Sequence, residues 1–379
     1  MRFQLHVAAV ALLVCDTLSA AALPHFQQPT AIWNVDVTNA PTRQNSTQMM
    51  QHLETLATTE HPTETGKYWG DNRHNQDLQI DFSFYVLHAT NTTPVKPIVP
   101  YPDAVSYYSP DCEDPASSFR FPMVPNGATE GSFTDPPSYS CNAGDDCHVL
   151  TVNDSTNVLY ESYYTPNFDA AGIHAICALS WDLKKVYPRY GRGEHCTSGD
   201  GAGFPIAPLL FNADEVWAAA QVQGDLGHGI RWIIGNERMQ QNTHVHPSSH
   251  GTGATSDTNV NSVPYGSRLR LKATFAGGKT VTTFSSNEAT RVVLRTLQKY
   301  GMFLSDGGGI PLTAESDYFN SHKWDDADMN IDSHTFFGLR PTDFDVIEAG
   351  DPIANDGPPN NGDCTLTPAD FLFIDGFDF

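Results

Sequence analysis

Positive charge is scarce in this chain. Lys and Arg number 21 against 44 Asp and Glu, for a formal net charge of −23. Such a balance disfavours nucleic acid and anionic membrane as partners, since both are themselves negative. It suits a soluble exported protein acting on neutral or cationic material, although an acid excess also serves plain solubility. Long apolar runs are equally scarce. VAAVALLVC, near the N-terminus, is too short to span a bilayer, and no later stretch is long or apolar enough, so no membrane span is expected. No Cys-x-x-Cys pair occurs, which speaks against a zinc ribbon. No Gly-x-Ser-x-Gly elbow occurs, which speaks against a lipase-like hydrolase. Internal repeats are lacking, and helix signals are few.

What is there begins with a leader. Residues 1–22 carry Arg2, the apolar run and the small residues Ala20-Ala21-Ala22, the pattern of a secretory signal peptide. The protein is therefore expected to be secreted or held at the cell surface. Beyond the leader stand Cys112, Cys141, Cys147, Cys177, Cys196 and Cys364. An even number in an oxidising compartment favours disulfides. Cys141 with Cys147 and Cys177 with Cys196 each flank a loop that would close locally; both bonds belong to just one of the 15 connectivities six cysteines allow.

Strand signals dominate residues 23–350, read as a single β-rich domain. They are period-2 alternation or β-branched and aromatic runs at 80–89, 147–153, 158–164, 229–235, 267–275 and 279–284. VLTVNDSTNVLYESYY reads as a hairpin. In SRLRLKATF, Leu269, Leu271, Ala273 and Phe275 alternate with Arg268, Arg270 and Lys272 on the other face. Residues 287–302 form the clearest helix, with Asn287 as its cap, and 213–221 a shorter one. The fold class is mainly β: an antiparallel sandwich, jelly-roll-like, with long loops and a few helices. Residues 351–379 read as a linker, DPIANDGPPNNGD, and a tail ending FLFIDGFDF. The tail resembles sorting tails of exported Gram-negative proteins; a fold-closing strand is the plainer alternative.

The stretch SGDGAGFPIAPLLFNADEV and the blocks after it resemble a family of secreted bacterial proteins. The blocks are Ser198, Asp200, Ala202, Gly203, Pro205, Ile206 and Pro208, then Asp214-Glu215-Val216, then Gly224, His228 and Arg231. The likeness continues in YGSRLRLKATF and QKYGMFLSDGG. The family has no assigned activity; its look is carbohydrate-active, an argument by analogy. His250 matches a family His, while His246 stands where the family has Trp, and Asp306-Gly307-Gly308 replaces its Asp-Asn-Gly.

From these residues we expect a polysaccharide-cleaving enzyme, a glycoside hydrolase or a lyase. Asp200, Glu215 and His228 are the expected catalytic groups, since glycosidic cleavage takes a carboxylic acid and an opposed carboxylate. Arg231, His250, Asp306 and Trp324 are the expected substrate-binding groups, Trp324 by stacking on a sugar ring. The partner would be a polysaccharide or another extracellular polymer. A non-catalytic carbohydrate-binding or adhesion protein is the alternative. Plain structural roles compete at each position: Asp214 as a helix N-cap, Glu215 as a dipole partner, Asp200 in an Asx turn, and the Gly307–Gly309 run as a helix stop. His244 and His246, two apart on a strand, face one way, a spacing that suits a metal. No third ligand is assured, so they read as a solvent-facing strand end, and no metal or cofactor is expected.

Overall fold

In the computed structural model the described residues are 24–56, 69, 78–101, 112–142, 145–196, 199–251 and 257–354. The leader, and the tail from residue 355, lie outside them. The alternating segments form strands because each presents one apolar face to a shared core. The result is mainly β, 17% helix and 26% strand in several sheets.

The largest sheet has six strands, in the order Ile80–Phe84, Leu312–Glu315, Ile230–Ile234, Met302–Gly307, Arg268–Leu271 and Phe344–Val346. A second has four: Cys177–Asp182, Val158–Tyr163, Val149–Asn153 and Val86–Ala89. The expected hairpin is there, Val149–Asn153 against Val158–Tyr163. The sheets are mixed, not purely antiparallel. Ile230–Ile234 runs parallel to Met302–Gly307, as do Ile80–Phe84 to Leu312–Glu315 and Val86–Ala89 to Val149–Asn153. A parallel pair needs a crossover. Helix Glu288–Lys299 supplies one, leading directly into Met302–Gly307.

That helix is capped by Asn287, whose side chain accepts from Thr290 N, and it buries Val292, Val293, Leu294 and Leu297. It packs on strand Arg268–Leu271 and on helix Ala213–Gln221. Gly301 ends it, with φ +68 and its N–H on Thr296 O. The expectation of a helix stop at Gly307–Gly309 is thus corrected: Gly307 closes a strand.

Segment 80–89 breaks at Tyr85 and feeds both large sheets, so their side chains meet in one core. Ile80, Phe84, Val86, Leu150, Leu179, Trp181, Ile230 and Trp232 belong to it. Residues 279–284, expected as a strand, contain a helical turn, Val281–Phe284. Thr280 and Thr283 form a capping box there, which overrides β-branched propensity. Arg268 and Arg270 do not face solvent. Arg268 donates to Val35 O and Tyr300 O at 2.6 and 2.7 Å, and Arg270 to Val37 O, at 2.6 Å, holding the N-terminal segment on the sheet.

Cys141–Cys147 closes locally as expected. Cys177 pairs with Cys112, not Cys196, tying a loop to the four-stranded sheet. Pairing continues past residue 350: Ile353 and Ala354, placed in the linker by composition, join strand Met239–His244.

Candidate functional site

The residues singled out from sequence fall into separate clusters. Arg231, on Ile230–Ile234, is buried and centres the first. Its Nη2 lies 3.5 Å from Asp200 Oδ2 and 3.7 Å from Asp306 Oδ2, and its Nε donates to Ser305 Oγ at 3.1 Å. The guanidinium sits over the Phe84 ring. Asp200 Oδ1 accepts from Ala202 N and Phe204 N, the Asx-type turn, while its Oδ2 is buried with no hydrogen-bond partner. Asp306, at the end of the neighbouring strand, keeps 26% of its side chain exposed. Between these loops a Cβ at Gly201 would strike Asp306 Oδ1 and Tyr265 OH, so any other residue there would push one of them aside. Burial raises the proton affinity of Asp200 against the pull of Arg231, with repulsion from Asp306 added. Asp306 is raised by burial too, again opposed by Arg231.

Two further groups back this cluster, and neither was singled out from sequence. Glu161 is fully buried on Val158–Tyr163. Its Oε1 accepts from Ile206 N and Ala207 N at 2.7 and 3.0 Å; its Oε2 has no hydrogen-bond partner. Burial pushes its carboxyl up to about 7, despite those two bonds. His148 lies with Nδ1 2.6 Å from Glu130 Oε2 and Nε2 2.8 Å from Gly199 O. Both partners only accept, so both ring nitrogens carry protons and the ring is an imidazolium. Burial opposes that charge, but Glu130 outweighs it and lifts the pKa to about 9.

Glu215 stands elsewhere. Helix Ala213–Gln221 begins with a capping box: Glu215 N donates to Asn212 Oδ1, and Asn212 N donates to Glu215 Oε1. Asn212, not Asp214, is the N-cap; Asp214 accepts from Ser321 N, His322 N and the His322 ring. The other carboxylate oxygen of Glu215 faces two imidazoles. His25 Nε2 is 2.7 Å from Oε2 and His228 Nε2 is 3.4 Å from it, and the two rings lie 3.8 Å apart. Burial works against the charge of Glu215, but the imidazoles outweigh it and bring the carboxyl to about 2. No contact joins Glu215 or His228 to Arg231, so the expected catalytic trio is divided between two places.

A third cluster is His244 and His246 on Glu194. His244 Nε2 meets Oε1 at 2.7 Å and His246 Nε2 meets Oε2 at 2.8 Å. His244 is buried, which corrects the solvent-facing reading, and Glu194 supplies the third polar group that sequence left open. His250 is buried near Tyr265, and desolvation holds its pKa down to about 3. Its loop is fastened to the Asp200 loop through Ser248 Oγ on Ala202 O, but His250 itself makes no contact with the aspartates. Trp324 is core. Its ring packs on Phe82 and Phe211 and its Nε1 donates to Glu315 O, so it offers no face to a sugar.

Among the described residues no helix is long and apolar enough to cross a membrane. The chain matches no protein-family model, no curated protein and no solved structure.

Proposed function

We propose that the protein is a secreted glycoside hydrolase acting on a neutral or cationic polysaccharide, with Asp200 and Asp306 as its working acids. The observation that carries this reading is two carboxylates facing one buried guanidinium, only one of them open to solvent. Burial raises the proton affinity of both aspartates, and glycosidic cleavage needs one carboxyl that still holds a proton to give the leaving oxygen. Asp306 would meet the substrate; Asp200 and Arg231 would set its proton affinity. The net charge of −23 favours a hydrolase over a lyase, because lyase substrates are polyuronates that this surface repels. The leader and the disulfides support secretion. The shared core of the two larger sheets supports a sandwich arrangement.

A binding protein is favoured by one observation: Tyr318 and Phe319 are exposed side by side, ring centroids 4.9 Å apart. Incubation with a panel of neutral, cationic and uronate polysaccharides separates the readings. Hydrolysis predicts new reducing ends without ultraviolet-absorbing unsaturated products, lost in Asp306→Asn with the melting curve unchanged. Unsaturated products would replace it with a lyase. Retention without turnover, lost in Tyr318→Ala, would replace it with a binder.

A further inference from the structure

Three lone pairs from distant parts of the chain converge at Glu215. His228 Nδ1 lies 2.8 Å from Gly229 O, and a carbonyl only accepts, so the ring proton is on Nδ1. Its Nε2 therefore carries a lone pair. That atom is buried, has no hydrogen-bond partner, and points at another lone-pair bearer, Glu215 Oε2, at 3.4 Å. His25 repeats the pattern: Nδ1 donates to Pro208 O at 3.0 Å, and Nε2 faces the same carboxylate oxygen. A proton on His25 Nε2 satisfies one of these approaches and leaves His228 Nε2 orphaned. A divalent cation satisfies all of them.

We propose that His25 Nε2, His228 Nε2 and Glu215 Oε2 ligate one late first-row divalent metal ion, with zinc as its representative. The three atoms lie within 4.8 Å of one another. A tetrahedron with zinc–ligand bonds of about 2.1 Å has edges of about 3.4 Å, and the His228–Glu215 edge is 3.4 Å. The His25–Glu215 edge, 2.7 Å, is that of a hydrogen bond and opens by about 0.7 Å when the ion enters. Two imidazoles and one carboxylate suit zinc and its neighbours, whereas calcium and magnesium prefer oxygen alone. The outer contacts are already in place: each ring donates its other N–H to a backbone carbonyl, and the capping box anchors Glu215 through Oε1. Three protein ligands leave a fourth position for water or substrate. The Glu194 cluster differs, because each imidazole there has its own carboxylate oxygen. The proposal is independent of the hydrolase reading.

Tag-free protein, stripped with chelator, is titrated with zinc sulfate alone by calorimetry. One ion per chain is expected, with affinity reduced more than about 100-fold in His25→Ala and in His228→Ala, beyond the cost of an outer-contact change. Glu194→Gln should keep it. Should His228→Ala fail to fold, His25→Ala and the cobalt-substituted visible spectrum decide: wild type shows intense tetrahedral bands and His25→Ala does not. No uptake at micromolar zinc, binding that survives His25→Ala, or binding lost only with Glu194→Gln would overturn the assignment.

Discussion

Glu161→Gln should change how stability depends on pH, by an amount that follows from its surroundings. The carboxyl is raised by burial from 4.5 to about 7. A raised acid holds its proton more tightly folded than unfolded. Its contribution is therefore most favourable below pH 4.5 and is lost as pH rises through 7. Each tenfold difference in proton affinity is worth about 1.4 kcal/mol, so the wild type gives up about 3 kcal/mol across that window. Gln has no such proton to lose. It keeps an acceptor for Ile206 N and Ala207 N but places an amide where Oε2 has no partner. That costs a roughly constant 1–3 kcal/mol at every pH. The informative quantity is the gap between the two proteins, not either value. In urea unfolding followed by tryptophan fluorescence, the gap should shift in favour of Glu161→Gln by roughly 2–3 kcal/mol between pH 5 and pH 8. Parallel pH profiles would refute the reasoning, because Glu161 would then be ionised at no cost in the folded protein.

His148, lifted to about 9 by Glu130, contributes stability that is complete below pH 6.5 and lost as pH rises through 9. The same unfolding series should show this decline in wild type and its absence in His148→Gln. The two disulfides should differ in worth, because they close loops of 65 and 6 residues. Replacing Cys112–Cys177 by an alanine pair should cost about 4 kcal/mol and replacing Cys141–Cys147 about 2 kcal/mol; equal losses in unfolding midpoints would contradict the loop argument.

Much of the scaffold was legible because its signals are local. The hairpin 149–163 and helix Glu288–Lys299 rest on alternation, apolar spacing and an Asn cap, all visible within a few residues. The misread pieces are those where a backbone detail decides. Thr280 and Thr283 turn a β-branched run into a helical turn, and Tyr85 splits one apparent strand between two sheets. The alternation places Arg268 and Arg270 opposite the apolar set but gives no sign that the N-terminal segment covers their face. For the site, Asp200, Arg231 and Asp306 do come together. Glu215 does not join them, because position N3 of its helix aims it toward His25 and His228. His25, 190 positions before its partner, sits in a stretch with no periodicity. Glu161 looked like an ordinary polar residue of a hairpin, and nothing local to it announces a buried carboxyl.

With Lys and Arg scarce, histidine is the partner of many carboxylates, at Glu130, Glu194, Asp154, Asp169 and Asp214. An ammonium or guanidinium keeps its charge throughout the range in which organisms acidify their surroundings; an imidazole does not. Of 15 histidines, burial holds His228 and His250 toward the neutral form. The formal charge of −23 counts every histidine as neutral, and each imidazole that carries a proton removes one unit from it. The protein thus behaves as a proton-responsive colloid. In a neutral medium its negative charge repels negative matrices and its own copies, and acidification weakens that repulsion. Which charged surfaces it approaches is then set partly by the acidity of the medium.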